Sequence, residues 1–373
     1  MATTESAPPP IDMPPIDMPP IDAQAAFTGT VAPEGDDRLD EGRLTAWFEQ
    51  NVEGFAGPLT VAKFKGGQSN PTYRIDAPSG PYVLRRKPLG KLLPSAHAVD
   101  REYTVQAALA TTAFPVARQY GLCTDDTVAG SWFYVMGCVD GRTIWDGAMP
   151  GATPAERRAH YNAMVDTLAA LHSIDPQAIG LGEFGRPGNY FGRQVDRWTK
   201  QYRLSETETM PEMERLIAWL PTTLPEQTRI SVVHGDYRID NLIFAADGPR
   251  VAAVLDWELS TLGDPLADFT YFCTAWAQDN GGRSGVRDLD RAALGIPELD
   301  EMVARYCVQT GRDGLPGIDW YLAYNFFRLA AIIQGIKKRV IDGTASSAHA
   351  RAMSERVQPL AALALSHAEA AGA

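Results

Sequence analysis

An α+β fold is predicted for this sequence: a small antiparallel sheet with one inserted helix comes first, and a mainly helical region follows. Strand-like runs separated by Gly and Pro turns cluster between residues 59 and 139. Apolar residues at helical spacing dominate from residue 153 onward, where short strand patterns between residues 230 and 255 interrupt them. The 373 residues suffice for one large or two ordinary domains, so a sizeable core can form.

The composition is that of an ordinary globular chain, with 45% apolar and 21% charged residues. The formal net charge of −12 argues against a nucleic-acid partner, because nucleic-acid-binding proteins usually carry a basic face. The four cysteines lack the spacing of zinc or redox sites and are expected to be free thiols. Neither a signal-peptide pattern nor an apolar run of membrane-spanning length is visible, so we expect a cytoplasmic protein with no membrane partner.

Residues 1–40 are expected to form a disordered tail. Residues 8–22 read PPPIDMPPIDMPPID, a five-residue repeat that favours extended, solvated backbone over a packed unit. A linear binding motif in this tail is the alternative to a simple linker. The first 42 residues hold nine of the 46 acidic residues and one basic residue. The acidity of the whole chain is therefore weak evidence for a cationic substrate.

The first lobe is predicted to span residues 41–138. It begins with a helix over residues 39–52, whose apolar residues fall near helical spacing. A second helix is predicted over residues 95–110, with Ser95 as its cap. Strands are predicted over five segments: 59–65, 72–77, 82–87, 116–123 and 132–139.

The second lobe is predicted to span residues 139–373. Thr153 and Glu156 form a capping-box pattern with Pro154 between them, which predicts a helix start. Short strands are predicted over 230–233, 242–244 and 251–255. Helical patterns resume at Asp264, and residues 321–336 are apolar enough to form a buried helix.

The segment from 230 to 269 holds the residues with the clearest chemistry. His234, Gly235 and Asp236 follow one strand, Asn241 follows Asp236 with four residues between them, and Asp256 ends the third strand. A carboxylate on a rigid loop can orient an acceptor hydroxyl and take its proton, a role that suits Asp236. Magnesium prefers hard oxygen ligands, which Asn241 and Asp256 supply. The pattern indicates phosphoryl transfer, whereas His234 is expected to be structural.

This layout resembles that of protein kinases, in which Asp-x-x-x-x-Asn is followed by a strand-end Asp. His-Gly-Asp and Asp-Trp-Glu at 234–236 and 256–258 are similar to the aminoglycoside phosphotransferase and choline kinase family. The segments VLRRKPLGKLLPSAHAVDREY and YNFFRLAAIIQGI most resemble phosphotransferase domains associated with acyl-CoA dehydrogenases. The resemblance covers roughly residues 40–345. It implies a protein-kinase-like two-lobed fold, ATP or GTP with Mg²⁺, and a small-molecule acceptor hydroxyl.

The resemblance also implies which first-lobe residues bind the nucleotide. Arg85 stands where the family usually has a lysine that holds the α and β phosphates, and Glu102 is its expected helix partner; Lys87 is the alternative cation. The turn at 66–70 is expected to cover the phosphates, although two glycines alone indicate no more than a hairpin. The remaining expected nucleotide contacts are Gly66, Gly67, Ser69 and Asn70 in this turn, and Met136, Gly137, Cys138 and Val139 beside adenine.

The acceptor implied by the resemblance is a hydroxyacyl-CoA or hydroxy acid. An aminoglycoside- or choline-type kinase, a nucleotide-binding pseudokinase indicated only by Arg85, and a metal-dependent phosphoesterase are the alternatives. A phosphoesterase usually needs several histidines on two metals, and His234 alone of the six histidines lies in the motif. Two cationic groups, at 193–200 and 337–339, could meet an anionic acceptor, although a solvated face is the more usual role. The oligomeric state is not predicted.

Overall fold

A six-stranded antiparallel sheet forms the first lobe. The structure is a computed structural model that describes residues 28–65, 70–90, 97–281, 283–344 and 348–373. The strands of this sheet lie in the order β1-β2-β3-β4-β6-β5. Their bounds are β1 Thr30–Val31, β2 Thr60–Phe64, β3 Thr72–Ala77, β4 Gly80–Arg86, β5 Gln119–Cys123 and β6 Phe133–Gly137. The five strands predicted from the sequence are all present, within a few residues of their expected ends.

Three helices accompany this sheet: α1 Glu41–Asn51, α2 Val99–Leu109 and the single turn α3 Asp126–Ala129. The Asp40 carboxylate caps α1 by accepting a hydrogen bond from the Arg43 amide at 3.0 Å. Helix α2 begins later than predicted, with Ala98 rather than a side-chain cap at its start. The predicted cap, Ser95, lies outside the described residues.

The two faces of the sheet bury different apolar clusters. One face packs against α1 through Leu44, Phe48, Ile75, Leu84 and Phe133, all fully buried. The other face packs against α2 through a smaller cluster of Val83, Val99, Ala117, Tyr134 and Met136. Because side chains alternate along β4, Leu84 and Arg86 lie on one face of the sheet and Val83 and Arg85 lie on the other. Arg85 thereby faces the helix that carries Glu102.

The described first lobe begins before residue 41, the boundary predicted from the sequence. Strand β1 pairs antiparallel with β2. Asp37 forms an ion pair with Lys63 at 2.5 Å, and Arg86 donates to the backbone oxygen of Asp36 at 2.8 Å. A two-residue exposed strand carries no periodicity, which is why the expected tail extended to residue 40. Residues 1–27, including the Pro-Ile-Asp-Met repeat, lie outside the described ranges.

The second lobe is mainly helical and contains two small sheets. The sheets are β10-β9-β7 and β11-β8. Their strands are β7 Arg142–Thr143, β8 Ser231–Val233, β9 Leu242–Phe244, β10 Val251–Val254 and β11 Thr261–Gly263. The helices are α4 Pro154–Ser173, α5 Tyr190–Ser205, α6 Pro211–Trp219, α7 Leu266–Cys273, α8 Arg291–Leu294, α9 Leu299–Thr310, α10 Ile318–Ile341, α11 Ala348–Ser354 and α12 Val357–Ala370.

Local signals account for the start and burial of the main helices. The Thr153–Glu156 capping box is present in both directions, as predicted. Helix α10 is buried along most of its length and packs against α5, α7 and α12. None of the helices in the described ranges has both the length and the apolar character needed to cross a membrane. The α+β two-lobed fold predicted from the sequence is confirmed.

Candidate active site

The loop after β8 is held by a buried carboxylate from α7. Asp268 accepts hydrogen bonds from the backbone amides of His234 and Gly235, the latter at 2.7 Å. Burial alone would raise the pKa of Asp268, but the hydrogen bond and charge of His172, with His234 and the Gly235 amide, lower it below its usual value. Asp268 therefore stays ionised and braces the loop.

His234 has a structural role, as predicted. Its Nε2 lies 2.7 Å from the Leu255 carbonyl oxygen, and its Nδ1 accepts from the Asp236 amide at 3.2 Å. These partners assign the proton to Nε2. The ring also packs edge-on against Trp257. Backbone groups thus occupy both ring nitrogens of His234. This histidine is therefore not placed to bind a metal, which argues against the phosphoesterase alternative.

Two neighbouring donors orient the carboxylate of Asp236. Tyr271 on α7 donates its hydroxyl to Oδ1 at 2.7 Å, and Asn241 donates Nδ2 to Oδ2 at 3.0 Å. Burial raises the pKa of Tyr271, and the negative charge of Asp236 raises it further, so the phenol remains a donor. Arg238 lies 3.7 Å from Oδ2. The Asp236 side chain is about a quarter exposed, so this oriented carboxylate is open to a substrate.

Backbone pairing places Asn241 beside Leu255, the residue before Asp256. The Leu255 amide donates to the Asn241 carbonyl oxygen at 2.8 Å. The Asn241 amide nitrogen is used by the Asp236 backbone and side chain, which leaves its side-chain oxygen to face another partner. Asp256 has a left-handed backbone conformation, φ 64°, and its side chain is 34% exposed. One amide oxygen and one carboxylate suit Mg²⁺, although their ligand role stays a prediction.

Arg85 links the first lobe to the second. Its Nε lies 2.7 Å from Glu102 Oε2 in an ion pair without an aligned hydrogen bond, and its Nη2 donates to Asp256 Oδ1 at 2.7 Å. Glu258 Oε2 is 3.7 Å from the same Nη2. The expected pairing of Arg85 with Glu102 is therefore present. Lys87 instead lies over the Trp132 ring, 5.9 Å from its centroid.

Glu102 is almost completely buried among donors. Tyr134 donates its hydroxyl to Oε2 at 3.0 Å, and Asn70 donates Nδ2 to Oε1 at 2.6 Å. Burial raises the pKa of Glu102, while the charge of Arg85 and these two donors oppose that shift. The Asn70 side chain is fully buried, with its oxygen 3.0 Å from His97 Nδ1. In this structure Asn70 thus positions Glu102, and its expected contact with a phosphate stays a prediction.

The other residues expected to bind the nucleotide fall into two groups, one outside the described residues and one at the end of β6. Gly66, Gly67 and Ser69 lie outside the described residues. Met136 and Gly137 end β6 opposite Val83 and Tyr82. Cys138 and Val139 pack, partly buried, against the apolar cluster on the α2 face of the sheet. The structure thus brings an apolar surface close to Arg85, and its contact with adenine remains a prediction.

Three residues near Asp236 were not predicted from the sequence. Tyr271 lies 35 residues from its partner and has no motif to mark it. Arg328 on the buried helix α10 donates to the Gly235 carbonyl oxygen, and its position inside an apolar run was an available signal. Arg238 lies within the motif itself. The cations considered for an anionic acceptor have other contacts: Lys200 pairs with Asp196, and Lys337 with Glu208.

One family profile matches most of the chain. The phosphotransferase enzyme family matches residues 60–314, which include Arg85, Glu102, Asp236 and Asp256. A solved structure from Ralstonia eutropha, which bears the provisional name aminoglycoside phosphotransferase, is 50% identical, with a TM-score of 0.83. The likeness covers 89% of this chain and 99% of that one.

More distant solved structures share the fold. A macrolide 2′-phosphotransferase from Brachybacterium faecium has 16% identity and a TM-score of 0.54, covering 86% of this chain and 99% of its own. An aminoglycoside phosphotransferase in a ternary complex with ADP and hygromycin B has 12% identity and a TM-score of 0.56, covering 88% and 98%. At these identities the likeness is one of fold.

The curated relatives are longer proteins. Acyl-CoA dehydrogenase family member 10 of Mus musculus is 47% identical over 310 residues, which is 83% of this chain and 29% of that protein. Acyl-CoA dehydrogenase family member 11 of Rattus norvegicus is 41% identical over 336 residues, covering 87% and 42%. The chain thus spans less than half the length of these relatives.

Proposed function

Because the chain belongs to the phosphotransferase enzyme family, we propose that it is a small-molecule kinase that transfers the γ-phosphate of ATP or GTP to a substrate hydroxyl. The arrangement of Asp236 carries this proposal. Its carboxylate is held by Tyr271 and Asn241, open to solvent, and its loop adjoins the turn that bears Asp256. A fixed, accessible base beside two oxygen ligands is what in-line transfer to a hydroxyl requires.

On the acceptor side, Asp236 accepts a hydrogen bond from the substrate hydroxyl and aligns its oxygen with the γ-phosphorus. The new bond forms between this oxygen and phosphorus, and the bond between phosphorus and the β–γ bridging oxygen breaks, releasing the nucleoside diphosphate. The hydroxyl proton passes to Asp236. Because both carboxylate oxygens already have donors, the base needs little reorganisation during the reaction.

On the nucleotide side, Arg85 supplies the phosphate-binding cation. Glu102 fixes one edge of its guanidinium, while Nη2 binds Asp256. A guanidinium can bind two phosphate oxygens at once. Asn241 and Asp256 would hold Mg²⁺, which neutralises charge on the phosphates when bound. The ADP complex of the aminoglycoside phosphotransferase, which shares this fold, supports nucleotide binding.

The acceptor in this proposal is a hydroxyacyl-CoA or a hydroxy acid. Support comes from the relatives at 40–47% identity, whose names refer to acyl-CoA dehydrogenases. An aminoglycoside acceptor draws support from the provisional name of the Ralstonia eutropha protein. The two classes differ in charge, since an acyl thioester of coenzyme A is anionic and an aminoglycoside is cationic.

A panel of acceptors tests the proposal. Purified protein is incubated with ATP or GTP and Mg²⁺ and with hydroxyacyl-CoA thioesters, hydroxy acids, aminoglycosides and choline, and phosphorylated products are measured by mass spectrometry. We expect transfer to an anionic hydroxy compound and loss of transfer in Asp256→Ala, with the variant still folded. Undiminished transfer by Asp256→Ala would contradict the proposed site, and transfer to aminoglycosides alone would contradict the acceptor class.

We also propose that the protein is cytoplasmic, as predicted from the sequence. The four cysteines are free thiols, and three of them are buried. Free thiols are typical of a reducing compartment. Cell fractionation of the native protein tests this location directly.

A further inference from the structure

Four arginines are buried in the part of the chain that the structure describes, and one of them differs from the rest in its contacts. Arg85 and Arg86 each form an ion pair with a carboxylate. Arg157 donates all three of its guanidinium nitrogens to backbone carbonyl oxygens. These three arginines have the partners that a buried cation requires. The fourth, Arg328 on α10, does not.

Arg328 uses one of its three guanidinium nitrogens. The residue is 7% exposed, and its Nη2 donates to the Gly235 carbonyl oxygen. Among the residues that the structure describes, no carboxylate forms an ion pair with Arg328, and no acceptor binds its Nε or Nη1. Neither of these two nitrogens is sealed from solvent. Because a guanidinium carries five N–H donors, most of those of Arg328 remain available to a bound molecule.

Two aromatic rings hold the guanidinium of Arg328 in place. Its Cζ lies 5.7 Å from the ring centroid of Trp198 on α5 and 5.2 Å from that of Tyr271 on α7. The indole N–H of Trp198 donates to Gln194 at 3.1 Å, which fixes the orientation of that ring. The face of a ring stabilises a cation but does not use the N–H groups at its edge. The rings therefore position Arg328 and leave its donors free for an oxygen atom.

Arg328 lies next to the base of the proposed reaction. Gly235, whose carbonyl oxygen it binds, directly precedes Asp236. Tyr271, whose ring it faces, donates to Asp236 Oδ1 at 2.7 Å. An acceptor whose hydroxyl binds Asp236 therefore has its nearby carbon atoms and their substituents beside Arg328. The phosphates of a coenzyme A thioester are separated from the acyl chain by the whole pantetheine arm, so the group at Arg328 belongs to the acyl part.

We propose that Arg328 binds the acyl oxygen of the acceptor, which is the carboxylate of a free hydroxy acid or the carbonyl oxygen of its thioester. This inference rests on the proposed function and names a residue that selects its substrate. A guanidinium binds a carboxylate through two parallel hydrogen bonds and can also donate to a carbonyl oxygen. Arg328 then holds the acyl end of the acceptor while Asp236 holds its hydroxyl. An alcohol without an acyl oxygen binds less tightly.

Binding is measured by isothermal titration calorimetry on the full chain, with AMP-PNP and Mg²⁺ present. The probes are a medium-chain hydroxy acid, its pantetheine thioester, and the diol in which the carboxyl group is reduced to an alcohol. We expect the wild type to bind an acyl probe roughly tenfold to a hundredfold more tightly than the diol, as for a charge-assisted hydrogen bond. Arg328→Gln should lose this preference, and Arg328→Lys should fall between the two. Arg157→Lys, at an equally buried arginine, is the matched control and should keep it.

The three probes separate direct binding from a structural role. A preference lost for the free acid assigns Arg328 to a carboxylate, and a loss confined to the thioester assigns it to the carbonyl. Equal weakening of the acyl probes and the diol indicates a structural role and overturns the inference. Undiminished preference in Arg328→Gln, or in Arg328→Lys where the former does not fold, also overturns it, as does a wild type without preference. The proposed kinase activity is tested separately by transfer to any hydroxyl, so the two failures are distinguishable.

Discussion

The carboxylate of Asp236 shows how single residues set the direction of a reactive group. Tyr271 binds one oxygen and Asn241 the other, and they follow Asp236 in the sequence by 35 and five residues respectively. Neither contact neutralises the charge, since both donors are uncharged. The carboxylate therefore loses rotational freedom, which favours proton acceptance at one fixed place.

Tyr271→Phe tests this orientation. The substitution removes one hydrogen bond and little volume, so we expect kcat to fall about tenfold while KM for the nucleotide changes little, in line with a bond to a charged group worth about 1.5–3 kcal/mol. Steady-state kinetics provides the measurement. Tyr120→Phe, in the first-lobe sheet, is the control and should retain wild-type kcat. Equal kcat in Tyr271→Phe and the control would show that the contact does not orient the base.

Asp268→Asn tests the buried brace of the catalytic loop. The folded-state pKa of Asp268 is depressed, so its stabilisation is present above the unfolded pKa and disappears as pH falls through the folded pKa. We expect the variant to lose about 2–4 kcal/mol of unfolding free energy at neutral pH. The difference from wild type should narrow below about pH 4, near the ordinary pKa of aspartate. Urea unfolding across pH measures it, and a difference independent of pH would contradict the assignment.

At the scale of elements, the ion pair of Arg85 and Glu102 joins strand β4 to helix α2. Glu102 is fixed by Tyr134 from β6 and by Asn70 just before β3, so three strands and one helix determine the position of one guanidinium. This convergence makes the cation rigid in a way that a solvent-exposed pair is not. It also offsets the greater length of arginine relative to the lysine usual at this position.

Glu102→Gln tests whether that rigidity serves nucleotide binding. The amide cannot balance the charge of Arg85, which would then be held by Asp256 and Glu258 alone. We expect KM for ATP to rise roughly tenfold, the equivalent of about 1.4 kcal/mol, with a smaller change in kcat. Glu53→Gln, which disrupts the exposed pair with Arg118, is the matched control and should have no effect. An unchanged KM for ATP in Glu102→Gln would separate the ion pair from nucleotide binding.

Across the whole molecule, the two lobes meet through side chains of the first lobe. Arg85 reaches Asp256, and Arg101 on α2 donates to the Phe184 carbonyl oxygen at 2.8 Å. The guanidinium of Arg101 also lies over the Phe184 ring, 4.2 Å from its centroid. The sheet lobe is thus tied to the second lobe through strand β4 and helix α2, and the contact of Arg85 with Asp256 lies in the candidate site.

The sequence predicted the parts of this site that depend on local order. Asp236, Asn241 and Asp256 were found because strands, turns and motif spacing place them, and the pairing of β9 with β10 brings them together. Tyr271 and Arg328 depend on packing between elements far apart in the chain, which periodicity does not encode. The start of the first lobe was missed for another reason: β1 is too short and too exposed to leave a pattern.

Asp236→Asn tests whether Asp236 serves as the base of a hydroxyl kinase. Phosphate transfer from ATP to the best acceptor of the panel is compared between the wild type and Asp236→Asn, with nucleotide binding followed by calorimetry in both. We expect the variant to bind nucleotide as the wild type does and to lose about 10²–10⁴-fold in kcat, the usual contribution of a general base. Wild-type kcat in a folded Asp236→Asn protein would contradict the claim.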